Sequence, residues 1–238
     1  MTKKPTFLPI VDNVSLQERV YNALRAAILD MDIYSDDTDL RLDERSIAEQ
    51  LGTSRTPLRE ALVRLEQEGF VEVQPRKGVI VLRKSMDEIL EMIVTWAALE
   101  SMDARLATQT ASSSDLKELR NFAMKHSLHA TRAEIAEYSD ANVSFHQRIL
   151  DLSGCSLLGE MAESLFQHMH AVRNRTMGEA ERVKNSIVDH MEIIEALECR
   201  DADLAERLVR EHTMKLHRHV RETWLEMGPP KTNEGAVA

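Results

Sequence analysis

All of the strand character in this 238-residue chain is confined to one short stretch, FVEVQPRKGVIVLRK, residues 70–84. The runs FVEV and VIVL are rich in β-branched residues, and QPRKG between them supplies a turn, so the stretch predicts one small β-hairpin. Arg76 and Lys77 give that hairpin a basic tip. From Met86 onward no strand signal is left and proline is absent until Pro229. Helices are expected at about 86–110, 113–130, 132–153, 155–177, 180–199 and 201–226, with breaks marked by Ser113, Ser114, Gly154, Gly178 and Asp201. A chain with a single hairpin and only 8 glycines is mainly α.

Upstream of the hairpin the pattern is helical but shorter. Ser15 and Glu18 have capping-box spacing ahead of LQERVYNALRAAIL, in which Val20, Leu24, Ala27 and Ile28 share one face. DMDIYSDDTDLRL, with five aspartates, breaks that periodicity. Asp43 can cap a second helix, ERSIAEQL, which Gly52 ends. Thr53 or Ser54 caps a third, with Pro57 in its first turn, where the missing N–H costs little. Leu58, Ala61, Leu62 and Leu65 fit the i, i+3, i+4, i+7 template, and Gly69 ends the helix. Three helices and a basic-tipped hairpin over residues 15–84 describe a winged helix-turn-helix, with residues 1–14 as a flexible arm.

That third helix opens with Arg55, Thr56 and Arg59 in a chain of net charge -10 and pI about 5.4. No acidic residue intervenes between Glu49 and Glu60, so positive charge is focused locally. A helix N-terminus favours phosphate, and arginine can grip a guanine edge bidentately. The acidic balance argues against non-specific coating of nucleic acid and leaves a specific DNA reader open. A solvated helix face carries the same residues, and the pattern alone leaves both readings standing. No apolar run is long enough for a transmembrane helix, and the N-terminus has no signal-peptide core. Cys155 and Cys199 have no metal-like spacing, so a reduced cytoplasmic location is expected.

All nine histidines lie beyond residue 84. His146 falls among Phe145, Ile149 and Leu150; His190 shares a face with Ile187, Ile193, Ile194 and Leu197; His212 shares one with Leu208, Val209 and Leu216. Three inward imidazoles can converge on a metal, and Asn142 lies one turn before His146 on the same face. Three separate core histidines, each bonded to its own partner, would give the same phases. His168 also sits on an apolar stripe, and His219 lies one heptad past His212. His126, His129, His170 and His217 read as surface residues.

From Leu42 to Val71, and again in PRKGVIV, the chain resembles the DNA-binding domain of the GntR family of bacterial transcription regulators. The resemblance implies DNA contacts from Arg45, from Ser54, Arg55, Thr56 and Arg59, and from Lys77 and Gly78 at the wing, with Arg76 as an added phosphate contact. NVSFHQRILDLSG, DHMEIIEAL and REHT are similar to the FCD effector-binding domain of the FadR-like branch. That similarity implies a divalent metal (zinc, nickel or manganese) held by His146, His190 and His212, with Asn142 where aspartate is usual. Six helices resemble the VanR-type subgroup.

One departure concerns the effector. Where many members carry an arginine four residues before the glutamate matched by Glu100, this chain has Trp96. The change points away from a dicarboxylate or sugar acid and toward a less polar or aromatic acid stacking on Trp96. Arg173 and Arg175 are candidate replacements for the missing cation. Taken together, the resemblance implies a ligand-responsive repressor, homodimeric through its helical domain (residues 85–227), on a palindromic double-stranded operator. Residues 228–238 are expected to form a disordered tail. Two other readings use the same residues: a regulator with a metal-free apolar pocket, and a metalloenzyme with an appended helix-turn-helix. Against the enzyme stand the lack of an H-E-x-x-H motif and the lack of an evident carboxylate paired with the histidines.

Overall fold

The computed structural model describes residues 15–75, 78–127, 135–176 and 180–227. The chain divides into two compact units. One contains the chain up to Met31 together with Asp39–Leu82; the other contains Asp32–Thr38 and the chain from Arg83 onward.

The first unit contains α1 (Leu16–Asp30), β1 (Arg41–Leu42), α2 (Glu44–Gln50), α3 (Arg55–Gln67), β2 (Val71–Gln74) and β3 (Gly78–Val81). Its helix starts follow the capping chemistry of the sequence. Ser15 Oγ accepts the Glu18 N–H at 3.1 Å, and Asp43 Oδ1 accepts the Ser46 N–H at 2.6 Å. Ser54 occupies the N-cap of α3 and makes no side-chain capping bond. The apolar face of α3 (Leu58, Ala61, Leu62 and Leu65) is fully buried against Val20, Tyr21, Leu24 and Ile28 of α1. At the rim the Arg64 guanidinium lies 3.6 Å from the Tyr21 ring centre, and the Tyr21 hydroxyl donates to Glu68 at 2.6 Å.

The expected hairpin is present and gains a third strand. The antiparallel order is β1-β3-β2, with Leu42 opposite Val79 and Gln74 opposite Gly78. Two residues are too few to show a period, so β1 was hidden in the aspartate-rich segment. Gly78 has φ +96, and a Cβ there would stand 3.7 Å from the Leu42 carbonyl oxygen. The site is therefore strained for other residues by conformation rather than by crowding.

The second unit is all-helical: α4 (Met86–Thr110), α5 (Ser113–Ser127), α6 (Ile135–Ser153), α7 (Ser156–Thr176), α8 (Ala180–Glu198) and α9 (Ala202–Met227). A reciprocal capping box between Ser85 and Glu88 starts α4. Small residues on α4 (Ala97, Ala104 and Ala107) are fully buried, and α4 packs most extensively against α9 and α6. Behind this pairing lies a core of Ile149, Ile193, Ile194, Leu197 and Val209. Arg200, at φ +59, donates to the Thr108 and Ala111 carbonyls at 3.1 and 2.7 Å, satisfying acceptors that the end of α4 leaves open.

The segment Asp32–Thr38 belongs to this helical unit. Tyr34 is buried edge-on against Trp224 at 5.0 Å, and its hydroxyl donates to the Lys84 carbonyl at 3.2 Å. Arg83 donates to the carbonyls of Ile33 and Ser35. Among the described residues no helix is long and apolar enough to cross a membrane.

Candidate functional site

Two groups of residues carry chemistry, one in each unit. In the first unit the N-terminus of α3 and the start of α2 face a shallow groove of about 510 Å³. Arg45, Arg55, Arg59 and Gly78 line it, together with Arg41, which the sequence reading missed. The two residues of β1 place Arg41 there, and so short a strand gives no local signal. Ser54, Arg55, Thr56 and Arg59 are all exposed, so none of them is spent on the core. Arg59 Nε donates to Glu44 at 3.1 Å and Arg45 Nε donates to Glu49 at 3.0 Å. Exposed pairs of this kind contribute about 0–1 kcal/mol, so phosphate can displace them at little cost. Arg76 and Lys77 lie outside the described residues.

In the second unit His146 of α6, His190 of α8 and His212 of α9 meet. One ring nitrogen from each lies within 4.8 Å of the other two. His146 is 1% exposed and His190 is also buried. The second nitrogens of two of these rings are taken. His146 Nδ1 is bonded to Glu100, whose other oxygen accepts the Thr213 hydroxyl at 3.1 Å. His212 Nδ1 is 3.0 Å from Asp189, which also accepts from Lys215 Nζ at 2.6 Å. A ring that gives its Nδ1 proton to a carboxylate keeps its lone pair on Nε2, the nitrogen free for a metal. His190 stacks on Phe145 at 3.9 Å, with Nε2 3.4 Å from the Ser186 hydroxyl. Ser186 also donates to Asn142 Oδ1 at 3.3 Å, so the amide is tied to the same cluster.

Protonation favours ligation. Burial holds the His190 pKa well below its ordinary value, with the neighbouring His212 and His146 adding to the effect. Burial also lowers His212, partly offset by its bond to Asp189. Burial pushes the Asp189 carboxyl up, but the bonds from His212 and Lys215 outweigh it and hold the group below its usual range. Both histidine shifts favour the neutral imidazole that a metal requires.

These carboxylates correct the sequence reading, which found none paired with the histidines. Glu100 reaches His146 across the α4–α6 packing, and Asp189 reaches across to α9 from the residue just before His190. The hydrogen bonds span 46 and 23 residues, beyond the reach of any local period.

His146 and His212 of the cluster form part of the wall of a cavity of about 300 Å³, shared with Trp96, Asn142, Asn185, Ser186, Lys215, Leu216 and His219. That volume is at the small end for ligand pockets. Trp96 is 3% exposed, edge-on to His146 at 5.4 Å and against Phe166 at 4.4 Å. Its Nε1 has no hydrogen-bond partner among the described residues. The side chains of Arg173 and Arg175 lie outside the described residues.

Comparison with known proteins agrees with this division. Residues 16–81 match the family described as bacterial regulatory proteins, gntR family, and residues 91–215 match the FCD domain. The HTH-type transcriptional repressor RspR of Escherichia coli K12 is 24% identical over 181 residues, 76% of this chain and 79% of that protein. The HTH-type transcriptional regulator McbR of the same strain is 31% identical over 129 residues, 54% of this chain and 58% of that protein. Among solved structures, E. coli McbR/YncC aligns with a TM-score of 0.73 at 24% identity, covering 88% of this chain and 99% of that one. A GntR regulator from Rhodococcus sp. RHA1 gives 0.69 at 20% identity, covering 87% and 98%. At these identities the two structures support the fold alone.

Proposed function

This chain belongs to the GntR family of bacterial transcriptional regulators and carries an FCD domain; from that premise we propose that it is an effector-responsive repressor that holds a small organic acid beside a divalent metal. It is a DNA-binding regulator rather than an enzyme, as are its family and the relatives above. RspR is named a repressor, which supports the direction of control proposed here.

The DNA reading rests on exposed chemistry at one helix end. The N-terminus of α3 enters the major groove, where Arg55 and Arg59 meet guanine edges or phosphates and Ser54 and Thr56 supply short hydroxyl contacts. Arg45 adds a contact from α2. Gly78 opens the wing, which lies toward the minor groove. Two such heads in a homodimer read a palindromic site, one per half-site.

The effector reading rests on one observation: three histidine nitrogens within 4.8 Å of one another, with His146 and His212, the two rings backed by carboxylates, in the wall of a cavity. His146, His190 and His212, with Asn142 alongside, would hold a zinc, nickel or manganese ion. The ion would supply positive charge to which an acid group coordinates. The protein's own part is to orient these imidazoles and to shape the space beside them. Binding alters repression to the extent that the acid has different affinities for the DNA-competent and DNA-incompetent states.

Two measurements test this. A gel shift on the region upstream of the protein's own gene should show a sequence-specific complex that weakens steeply with salt. Arg55→Ala should lower that affinity about 5- to 150-fold, about 1–3 kcal/mol, and an unchanged affinity would remove α3 from the interface. Elemental analysis of untagged protein purified without chelator should find about one divalent ion per chain. Protein without metal that still loses DNA on adding an acid would refute the metal part alone.

A further inference from the structure

Four arginines line the groove at the start of α3, and the contacts proposed above use three of them: Arg45, Arg55 and Arg59. The fourth, Arg41, comes from β1. Its neighbours in the chain fix where it stands. Leu40 is buried and Leu42 half-buried, so the alternation of a strand turns the side chain between them outward. Backbone bonds hold it on both sides. The Arg41 N–H donates to Asp39 Oδ1 at 2.9 Å, and the Leu40 carbonyl accepts the Val81 N–H at 2.9 Å. In register Arg41 lies opposite Ile80, on the strand that Gly78 opens. Arg41 therefore belongs to the wing side of a groove whose other side is the start of α3.

The form of B-DNA decides what passes between those two sides. Its major and minor grooves are separated by a sugar-phosphate backbone. A unit that sets α3 in the major groove and its wing toward the adjacent minor groove has to straddle that backbone. The strand then runs through the space between α3 and the wing, which is the groove of about 510 Å³. A strand seen from there presents phosphate oxygens rather than base edges, so a side chain from β1 meets charge and not sequence.

Three carboxylates line the same groove, and each is engaged within the protein. Asp39 takes the Arg41 N–H, Asp43 caps α2 through the Ser46 N–H at 2.6 Å, and Glu44 accepts from Arg59 Nε at 3.1 Å. All three repel a passing phosphate. Arg41 is the cation set midway between Asp39 and Asp43, where that repulsion is otherwise unopposed along the strand.

We infer that Arg41 is a phosphate contact, the residue by which β1 clamps the DNA strand running between α3 and the wing. It adds affinity on any sequence and no discrimination between sequences. The inference rests on the winged-helix reading above and adds to it a residue and a role.

The test is an anisotropy titration of the full-length protein on two labelled duplexes, the region upstream of its own gene and a scrambled duplex of the same length, from about 50 to 200 mM salt. Arg41→Gln keeps the length of the side chain and removes its charge. On both duplexes it should make the plot of log affinity against log salt shallower by about 0.9 for each head bound, with a loss of about tenfold per head near 50 mM salt. The ratio of the two affinities should stay as in wild type. Arg41→Lys keeps the charge and should restore the slope. Arg55→Ala should instead bring the two affinities closer together. A wild-type slope for Arg41→Gln on both duplexes takes Arg41 off the DNA. A loss confined to the upstream duplex makes it a base reader, and a loss that lysine does not restore makes it structural. Each of these overturns the inference while the effect of Arg55→Ala leaves the winged-helix reading standing. If Arg55→Ala also leaves both affinities unchanged, that reading falls as well.

Discussion

Asp103 should destabilise this protein at neutral pH, and neutralising it should make the fold more stable. The residue lies on the inner face of α4 at 0% exposure, and among the described residues neither carboxylate oxygen makes a hydrogen bond of good geometry. The nearby Ser153 hydroxyl eases the charge but donates to the Leu150 carbonyl at 2.7 Å. Burial therefore raises the Asp103 pKa to about 6, with Glu100 adding to the rise. An unfolded aspartate titrates near about 3.9, so the native state holds the proton more tightly by about two pH units, or about 3 kcal/mol. The sign follows from that difference. Between about pH 4 and pH 6 the folded form binds more protons than the unfolded form, so this residue's contribution to stability declines as pH rises, and the full penalty is in place above pH 7.

Asp103→Asn removes the charge and keeps the shape. The amide is still buried and unpaired, which gives back part of the gain, so the variant should be more stable than wild type by about 1–2 kcal/mol at pH 7.5. Near pH 4.5 the two should be about equal, or the variant slightly worse. Calorimetric melting of the full chain at fixed protein concentration, from pH 4.5 to 8, measures this. Taking the difference between wild type and variant at each pH cancels every other titrating group, including the histidines. A variant less stable than wild type at pH 7.5, with a difference independent of pH, would show that the carboxylate is ionised and paired in solution and would refute the reasoning.

Other outcomes follow from single contacts. Glu100→Gln should weaken zinc binding about 10–100-fold, measured by competition with a chromophoric chelator, because the amide no longer accepts the His146 proton as a charged group does. Leu58→Ala, at a fully buried position between α3 and α1, should cost the DNA-binding unit about 2–5 kcal/mol in denaturant unfolding. It should also weaken operator binding through loss of folded protein, not through loss of a contact.

What could be read in the sequence was whatever had a local period or a local partner. Leu58, Ala61, Leu62 and Leu65 announced the buried face of α3, and all four are at most 2% exposed. Asp43 and Ser15 sit where capping spacing put them. The phases of His146, His190 and His212 brought three rings to one place. What had to wait for the structure was long-range. Strand β1 is two residues, and its meaning lies in pairing with β3 some 38 residues later. Tyr34, amid the aspartates, finds its aromatic partner in Trp224 near the end of α9. Glu100 and Asp189 are ordinary helix residues until the bundle closes around them.

Those two carboxylates also change the question asked of the histidines. In the sequence, separate core histidines with their own partners and a converging metal cluster look like rival readings. In the structure the same bonds serve both. The carboxylate that satisfies a buried imidazole at Nδ1 leaves Nε2 as that ring's nitrogen open to a metal. Asn142 fits this arrangement. With three imidazoles and an amide around it, a divalent ion would keep its positive charge toward the cavity, while Glu100 and Asp189 balance that charge from behind the rings. An aspartate in place of Asn142 would cancel part of the attraction for an anionic effector. Asn142→Asp should therefore tighten metal binding and weaken binding of the acid, and a variant that tightened both would show that the ion is held for stability rather than to receive an effector.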